Sequence, residues 1–283
     1  FTERKPRTIT MSVTLEEIIR HKRREVDDAM KVTPLDVFRE RIGDAPPARN
    51  FFGSVANGRG PSGFNVIAEV KERSPSAGTL RDPYDPAGIA LQYENAGAVA
   101  ISCLTDSNYF GGTPDHLQNV RDAVSLPVLR KDFIVDPWQI WESRLMGADA
   151  VLLIAEVLSE GEILDCMILA HELDMTALVE VHDMESLLRL QRHIGFPHPG
   201  YSLLGINNRN LKTMKTDLNH TIRLLDLVEE HRNITVSESG IRTRADLDHL
   251  NAHGVNKALV GESLLREENP GNGLRTLLGT PWN

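Results

Sequence analysis

The sequence lacks the features that mark secreted and membrane proteins. Its 283 residues include only two cysteines, Cys103 and Cys166, too few for a disulfide framework and not spaced as a Cys-x-x-Cys metal or redox pair. No apolar run approaches the roughly 20 residues that a membrane-spanning helix needs. The basic N-terminal stretch is not followed by the apolar segment of a secretory signal. These absences predict a cytoplasmic protein with no membrane partner.

Positive charge and metal-ligand patterns are also scarce. The 40 Asp and Glu residues outnumber the 31 Lys and Arg residues, which gives a net charge of −9. Binding to a phosphate backbone needs a clustered basic surface, so nucleic acid is not expected as a partner. The histidines show no His-Glu-x-x-His pattern, because the pair His171 and Glu172 lacks the second histidine. We therefore predict no metal, and any anionic ligand must be held by local positive charge.

Strand-forming segments alternate with segments of helical length from Phe64 onward, a pattern that predicts a parallel sheet covered by helices. The eight segments begin at Phe64, Val99, Val128, Ala150, Thr176, Leu203, Ile234 and Lys257. Eight parallel strands can close into a barrel with no exposed edge, and about 250 residues is its usual size. The predicted fold class is α/β, a single (β/α)8 TIM barrel over residues 64–283.

The preceding residues 1–63 predict an N-terminal helical extension and a loop, within one domain with the barrel. A helix is expected over residues 14–31, because Thr14 is followed three residues later by Glu17 in the capping-box pattern. A second short helix is expected after the next proline. The stretch 44–63 is rich in glycine and proline, and we expect it to be a loop that covers one end of the barrel.

Glycines carry two further signals. Those just before three predicted strands are expected to end helices in a left-handed turn; they are Gly97, Gly147 and Gly254. Another set, Gly58, Gly60 and Gly63, spells the Gly-x-Gly-x-x-Gly pattern of dinucleotide sites. That pattern must follow a strand, and here it precedes one. A dinucleotide site is therefore rejected.

Polar side chains stand at the C-terminal ends of the predicted strands, which converge on one mouth in a parallel barrel. The first strand delivers Glu69 and Lys71, which are separated by one residue and so point the same way. The later strand ends supply Lys131, Phe133, Glu180, Asn207, Arg209, Glu238, Ser239, Gly240 and Gly261. Burying so many charges is costly unless they are paired or meet a ligand, so the cluster predicts a functional site.

At these strand ends the sequence EVKERSPS, from Glu69, resembles the signature of the indole-3-glycerol-phosphate synthase family. Five further segments follow in the family's order: RKDFIVDPWQI from Arg130, VEVHD from Val179, GINNRNL from Gly205, SESGI from Ser237 and VGESL from Val260. The resemblance extends from Val13 to Leu278. It implies a (β/α)8 barrel with an added N-terminal helical segment, no cofactor, and no requirement for an oligomer.

The family's reaction converts 1-(2-carboxyphenylamino)-1-deoxyribulose 5-phosphate to indole-3-glycerol phosphate, with loss of carbon dioxide and water. The resemblance thus implies a carboxy-lyase of tryptophan biosynthesis with a small phosphorylated substrate. An acid must protonate the alkoxide that forms at the ketone, and Lys131 is the candidate. Lys71 and Arg209 would anchor the substrate carboxylate. The base for dehydration is Glu180 or Glu69 and the second acid is Lys71 or Lys131; the sequence leaves this division open.

The resemblance also assigns the polar and apolar walls of the site. Asn207 and Ser239 resemble residues that hydrogen-bond sugar hydroxyls and orient catalytic groups, and Glu238 resembles one that positions a lysine. For Asn207 and Glu238 the alternative is capping of the strand end. Phe133 and Leu152 are expected to form the slot for the anthranilate ring, although bulky residues also fill the interior of any such barrel.

The substrate phosphate is expected at the ends of strands seven and eight, where backbone N–H groups near a short helix bind anions. Gly240 and Gly261 would let the backbone approach closely, and the N–H of Glu262 would contribute while its carboxylate points away. Ser74 and Pro75 would shape the first loop after a strand as a lid. Gly261 could alternatively be a simple strand-end turn.

Two other functions would place different demands on these residues. A barrel like phosphoribosylanthranilate isomerase would share the phosphate site but would require a cysteine and an aspartate as acid and base, whereas the first strand end has Glu69 and Lys71. A non-catalytic barrel that binds a phosphorylated metabolite would be expected to have neutral residues at Lys131 or Glu180, and both charges are present.

Overall fold

The computed structural model describes residues 13–198, 200–210 and 213–281. Its centre is a closed barrel of eight parallel strands, in which the first strand pairs with the last. The strands are β1 (Asn65–Val70), β2 (Ala100–Leu104), β3 (Val128–Lys131), β4 (Ala150–Ile154), β5 (Thr176–Val181), β6 (Ser202–Asn207), β7 (Thr235–Glu238) and β8 (Lys257–Val260). The predicted (β/α)8 barrel is confirmed, and each strand begins within one residue of its predicted start.

Helices precede the first strand, separate the strands along the chain and follow the last strand. They are α1 (Leu15–Val32), α2 (Leu35–Arg41), α3 (Phe51–Ala56), α4 (Pro86–Ala96), α5 (Ser107–Phe110), α6 (Pro114–Ala123), α7 (Trp138–Leu145), α8 (Glu160–Glu172), α9 (Met184–Ile194), α10 (Asn219–Leu225), α11 (Arg244–Ala252), α12 (Glu262–Leu265) and α13 (Pro270–Leu278). Gly97, Gly147 and Gly254 have φ of 97°, 88° and 84°, so the predicted left-handed turns are confirmed. Among the described residues, no helix combines the length and the apolar character that crossing a membrane requires.

Side chains alternate along each strand between the barrel interior and the helix layer. Ile67, Leu129 and Leu178 pack inside the barrel, whereas Val66 and Ile101 pack under the helices. Because of this alternation, an inward-facing position at the C-terminal end of a strand faces the mouth rather than the outer layer. The polar strand-end residues identified above occupy such positions.

The N-terminal extension forms the expected two helices. The Thr14 side chain accepts a hydrogen bond from the N–H of Glu17, whose carboxylate accepts one from the N–H of Thr14, so the predicted capping box is confirmed. Lys22 fixes α1 to the barrel, because its fully buried ammonium lies 3.0 Å from Asp106 and 3.1 Å from Asp132. The basic stretch before α1 lies outside the described residues, and the assignment of extension and barrel to one domain stays a prediction.

The prediction of a continuous loop over residues 44–63 was wrong. The stretch contains α3, capped by Asn50, whose side chain accepts a hydrogen bond from the N–H of Gly53. Phe51 and Val55 are buried and pack against the interior of the barrel. Asn65, at the start of β1, donates to the carbonyl of Val55, which places α3 at the N-terminal end of the barrel. Glycine and proline residues flank this short apolar helix, and their number led to the prediction of a loop.

Candidate active site

The C-terminal ends of the strands open into a cavity of about 670 Å³. Every catalytic, substrate-binding and phosphate-binding residue predicted from the sequence lines its wall: Glu69, Lys71, Ser74, Pro75, Lys131, Phe133, Leu152, Glu180, Asn207, Arg209, Glu238, Ser239, Gly240, Gly261 and Glu262. The structure therefore brings these side chains together in one place, as a common mouth requires.

Lys131, at the end of β3, is paired with two carboxylates. Its ammonium donates to Glu180 at 2.7 Å and to Glu238 at 2.9 Å, from the ends of β5 and β7. Burial alone would lower the pKa of Lys131, but the negative charges of Glu180, Glu238 and Glu69 outweigh it and raise the pKa. The lysine is therefore charged and can deliver a proton to a ligand that develops negative charge.

The two carboxylates around Lys131 differ in their affinity for protons. Burial and the charge of Glu180 raise the pKa of Glu238. Burial also favours the neutral form of Glu180, but the charges of Lys131 and His182 outweigh it and lower the pKa. One proton shared between them accordingly resides on Glu238, and the negative charge on Glu180. Gly205 makes room for Glu238, since a Cβ there would lie 2.2 Å from its Oε1.

A second ion pair stands at the end of β1, where the Lys71 ammonium hydrogen-bonds the Glu69 carboxylate. Both side chains are largely buried, with exposed fractions of 11% and 7%. Gly261 faces this pair, because a Cβ at that position would lie 2.4 Å from Glu69 Oε1. Glycine at position 261 thus leaves space for the carboxylate, a reason that the sequence interpretation missed.

Opposite the charges, one wall of the cavity is apolar. Phe133 and Leu152 lie there as expected, and the ring of Phe110 in α5 approaches Phe133 with 6.0 Å between centroids. Leu15 and Ile18 of α1 complete the wall. No pattern in the sequence pointed to Phe110, which lies in a short helix without periodicity, or to the position of α1 over the mouth, which depends on tertiary contacts.

The rim at β7 and β8 has an unusual backbone. Ser239 and Gly240 follow β7 with φ of 65° and 84°, so two successive residues are left-handed. Glu262 begins α12, and its carboxylate lies 2.8 Å from the Arg266 guanidinium and 3.6 Å from that of Arg209. The acidic side chain is thus neutralised by arginines at the rim.

The first loop and the end of β6 meet above this rim. Ser74 is buried and its hydroxyl accepts a hydrogen bond from the N–H of Ala77. Arg209 donates to the Ser76 hydroxyl at 3.3 Å, which links the loop to β6. Asn207 accepts a hydrogen bond from the N–H of Arg209 at 3.0 Å, so the capping contact that the sequence left as an alternative is present.

Sequence reasoning also missed a titratable side chain of the mouth, His182. Its ring lies 3.2 Å from Glu180 and 3.0 Å from Glu156. The alternation that pairs Glu69 with Lys71 would have found it, because His182 follows Glu180 at the same two-residue spacing. Within the described residues, no group of three or more His, Cys, Asp or Glu side chains is arranged to hold a metal ion.

Comparison with known proteins decides between the functions considered above. A family model described as indole-3-glycerol phosphate synthase matches residues 15–277. The chain belongs to this family. Membership in the indole-3-glycerol phosphate synthase family makes it an enzyme of tryptophan biosynthesis and a carboxy-lyase. Neither the isomerase nor the non-catalytic alternative is supported by this match.

Individual relatives agree with the family model. An indole-3-glycerol phosphate synthase of Azoarcus sp. is 46% identical over 274 residues, covering 95% of this chain and 100% of the relative. The chloroplastic indole-3-glycerol phosphate synthase of Arabidopsis thaliana is 43% identical over 272 residues, covering 94% of this chain and 66% of the relative. The crystal structure of 3-hexulose-6-phosphate synthase from Salmonella typhimurium is similar in fold alone, with 12% identity, a TM-score of 0.54, and coverage of 76% of this chain and 97% of that one.

Proposed function

We propose that this cavity carries out the indole-3-glycerol phosphate synthase reaction with Lys131 as the acid of ring closure. The observation that carries the proposal is the charged ammonium of Lys131, held by Glu180 and Glu238 beside an apolar wall. When the aromatic carbon attacks the ketone, negative charge develops on the ketone oxygen. A buried ammonium stabilises that charge and then supplies the proton.

Lys71 and Arg209 are proposed to hold the substrate carboxylate until it leaves as carbon dioxide. Both line the cavity, and both are paired with carboxylates, Lys71 with Glu69 and Arg209 with Glu262. A substrate carboxylate that enters can share these cations at little desolvation cost, because the cations are already positioned. The anthranilate ring would then rest against Phe133 and Leu152.

For dehydration we propose Glu180 as the base, with Glu69 as the alternative, and Lys71 as the acid that protonates the leaving hydroxyl, with Lys131 as the alternative. Glu180 is the ionised member of the pair around Lys131, because its neighbouring cations lower its pKa. Once Lys131 has given its proton to the ketone oxygen, one of those cations is lost and the proton affinity of Glu180 rises. The same carboxylate is thus unreactive before ring closure and basic after it. Glu238 positions Lys131, and Ser239 and Asn207 orient the sugar hydroxyls.

The phosphate is proposed to lie on the backbone of Gly240, Gly261 and Glu262. The left-handed turn after β7 exposes main-chain N–H groups at this rim, and Arg209 and Arg266 add positive charge beside it. All the groups invoked come from one chain, so we also propose that a single chain suffices for activity.

The direct test is incubation of the protein with the carboxyphenylamino deoxyribulose phosphate while indole fluorescence is followed. Product at the same rate with and without EDTA is expected, because every step above uses side chains of this chain. Folded protein that yields no indole-3-glycerol phosphate would contradict the assignment, and a rate that EDTA abolishes would contradict the metal-free roles of Lys131 and Lys71.

A further inference from the structure

His182 lies beside the proposed base but has no role in the steps above. It follows β5, two residues after Glu180, and lines the cavity with only 7% of its side chain exposed. Its Nε2 is 3.2 Å from Glu180 Oε1, and its Nδ1 is 3.0 Å from Glu156 Oε2. Glu156 also accepts a hydrogen bond from the backbone N–H of His182 at 2.8 Å. One carboxylate therefore holds both the ring and the main chain of this residue.

We propose that His182 is a positioning residue of the reaction, which fixes the Glu180 carboxylate opposite Lys131 and is itself oriented by Glu156. This inference rests on the proposed function, because it assigns to His182 an effect on the base of that reaction.

The contacts around Glu180 show what the ring does. One oxygen of Glu180 accepts from Lys131 at 2.7 Å, and the other faces the ring of His182 at 3.2 Å. A carboxylate held at both oxygens cannot rotate to offer a different lone pair to the substrate. Removing His182 would leave Oε1 of Glu180 without its ion-pair partner.

Charge is the second contribution. Burial would lower the pKa of His182, but the hydrogen bond to Glu156 and the negative charge of Glu180 outweigh it and raise the pKa. Glu238 adds to the same effect from β7. From α10, His220 hydrogen-bonds the backbone of His182, and burial lowers the pKa of His220, which makes it a neutral neighbour. The cationic form of the His182 ring is therefore favoured, with Nδ1 hydrogen-bonded to Glu156 and Nε2 ion-paired with Glu180.

This cation has a consequence for the order of proton transfers. While Lys131 keeps its proton, two positive neighbours hold the proton affinity of Glu180 low. When Lys131 passes its proton to the ketone oxygen, His182 remains charged. Glu180 then stays ionised until dehydration, when it takes a proton from the substrate. Without His182, Glu180 would compete with the ketone oxygen for the proton of Lys131.

The kinetic test compares His182→Ala with His182→Gln. The alanine variant is expected to lose between about tenfold and 100-fold in kcat, the cost of misplacing a catalytic group, while KM changes less than about threefold. The glutamine variant can still donate to Glu180 and should recover part of kcat. In both variants the acid limb of the pH–kcat profile should move to higher pH, because loss of a cation raises the pKa of the base. A merely structural role would not move that limb.

The matched control is His193→Gln, the same substitution at an exposed histidine on α9, for which kcat and the pH profile should stay as in the wild type. Histidine NMR gives a reading independent of substrate. The pKa of the His182 ring should lie above the ordinary histidine value, and Glu156→Gln should lower it. Because this measurement uses the wild-type protein and Glu156→Gln, it tests the inference even if His182→Ala fails to fold.

The outcomes separate the inference from the function on which it rests. Wild-type kcat and an unmoved acid limb in His182→Ala would overturn the inference alone, as would a His182 ring whose pKa is at or below the ordinary histidine value. A wild-type protein that forms no indole-3-glycerol phosphate would overturn the proposed function, and the inference with it.

Discussion

The two ends of the barrel both bury charged side chains, but they satisfy them differently. At the N-terminal end, Arg121 pairs with Asp149 at 2.8 Å, and the two oxygens of Asp149 also accept the backbone N–H groups of Arg49 and Val128. At the mouth, Oε1 of Glu238 is buried with no hydrogen-bond partner within the described part of the chain. Both oxygens of Asp149 are thus satisfied by the protein, whereas one oxygen of Glu238 at the mouth has no such partner among the described residues.

Buried charge is therefore not a sign of function by itself. The Arg121 guanidinium also donates to the carbonyls of Gly147 and Pro47, so the Arg121–Asp149 pair links separate main-chain segments. At the N-terminal end, α3 fills the barrel axis with Phe51 and Val55. What distinguishes the mouth is the open volume beside its charged side chains.

The largest effect, a loss of stability, is expected for Asp149→Ala at the N-terminal end of the barrel. The substitution leaves the Arg121 guanidinium buried without its counter-ion and frees two backbone N–H groups, so the free energy of unfolding should fall by about 3–5 kcal/mol. Urea unfolding measures this loss, and kcat per folded molecule should not change. Asp248→Ala removes an exposed partner of Arg244 and should cost less than about 1 kcal/mol. Equal losses of unfolding free energy in the two variants would show that the Arg121–Asp149 pair does not hold these main-chain segments together.

Lys131→Ala is the corresponding change at the mouth, and its effect should appear in kcat. Loss of the positioned acid should reduce kcat by a factor of at least about 100, equivalent to about 2.7 kcal/mol in the activation free energy. Inorganic phosphate should still compete with substrate at millimolar concentration in this variant, because the rim at Gly240 and Gly261 is untouched. Near-wild-type turnover would refute the acid role of Lys131, and loss of phosphate competition would show that the variant disturbs the rim as well.

The difference between the ends also explains what the sequence could predict. Strand positions follow from local alternation, so Glu69, Lys131 and Glu180 could be placed at one mouth before any coordinates were known. Helix α3 could not be predicted in this way, because its six residues become a helix only when their apolar side chains pack into the barrel.

Within the site, too, some features could be predicted from single segments of the sequence and others could not. The space that Gly261 leaves for Glu69 depends on the pairing of β1 with β8 around the closed ring, a contact between residues at opposite ends of the barrel sequence. The Glu156–His182 contact likewise joins the ends of β4 and β5. Neither segment alone predicts this contact. Residue types at strand ends were predictable from one segment at a time, whereas partners across strands required the closed barrel.

The smallest effect is expected for Thr14→Ala, which removes the cap of α1 where this helix borders the mouth. Loss of an N-cap costs about 1 kcal/mol, and Ser159→Ala, which removes the matching capping box of α8, is expected to cost as much. Leu15 lines the cavity in the first turn of α1, whereas Ser159 does not line it, so only Thr14→Ala should also raise KM. The rise should not exceed about fivefold, because about 1 kcal/mol is the whole local cost. Steady-state kinetics and thermal unfolding of the two variants separate the effects, and an equal KM in both would show that the first turn of α1 takes no part in holding the substrate.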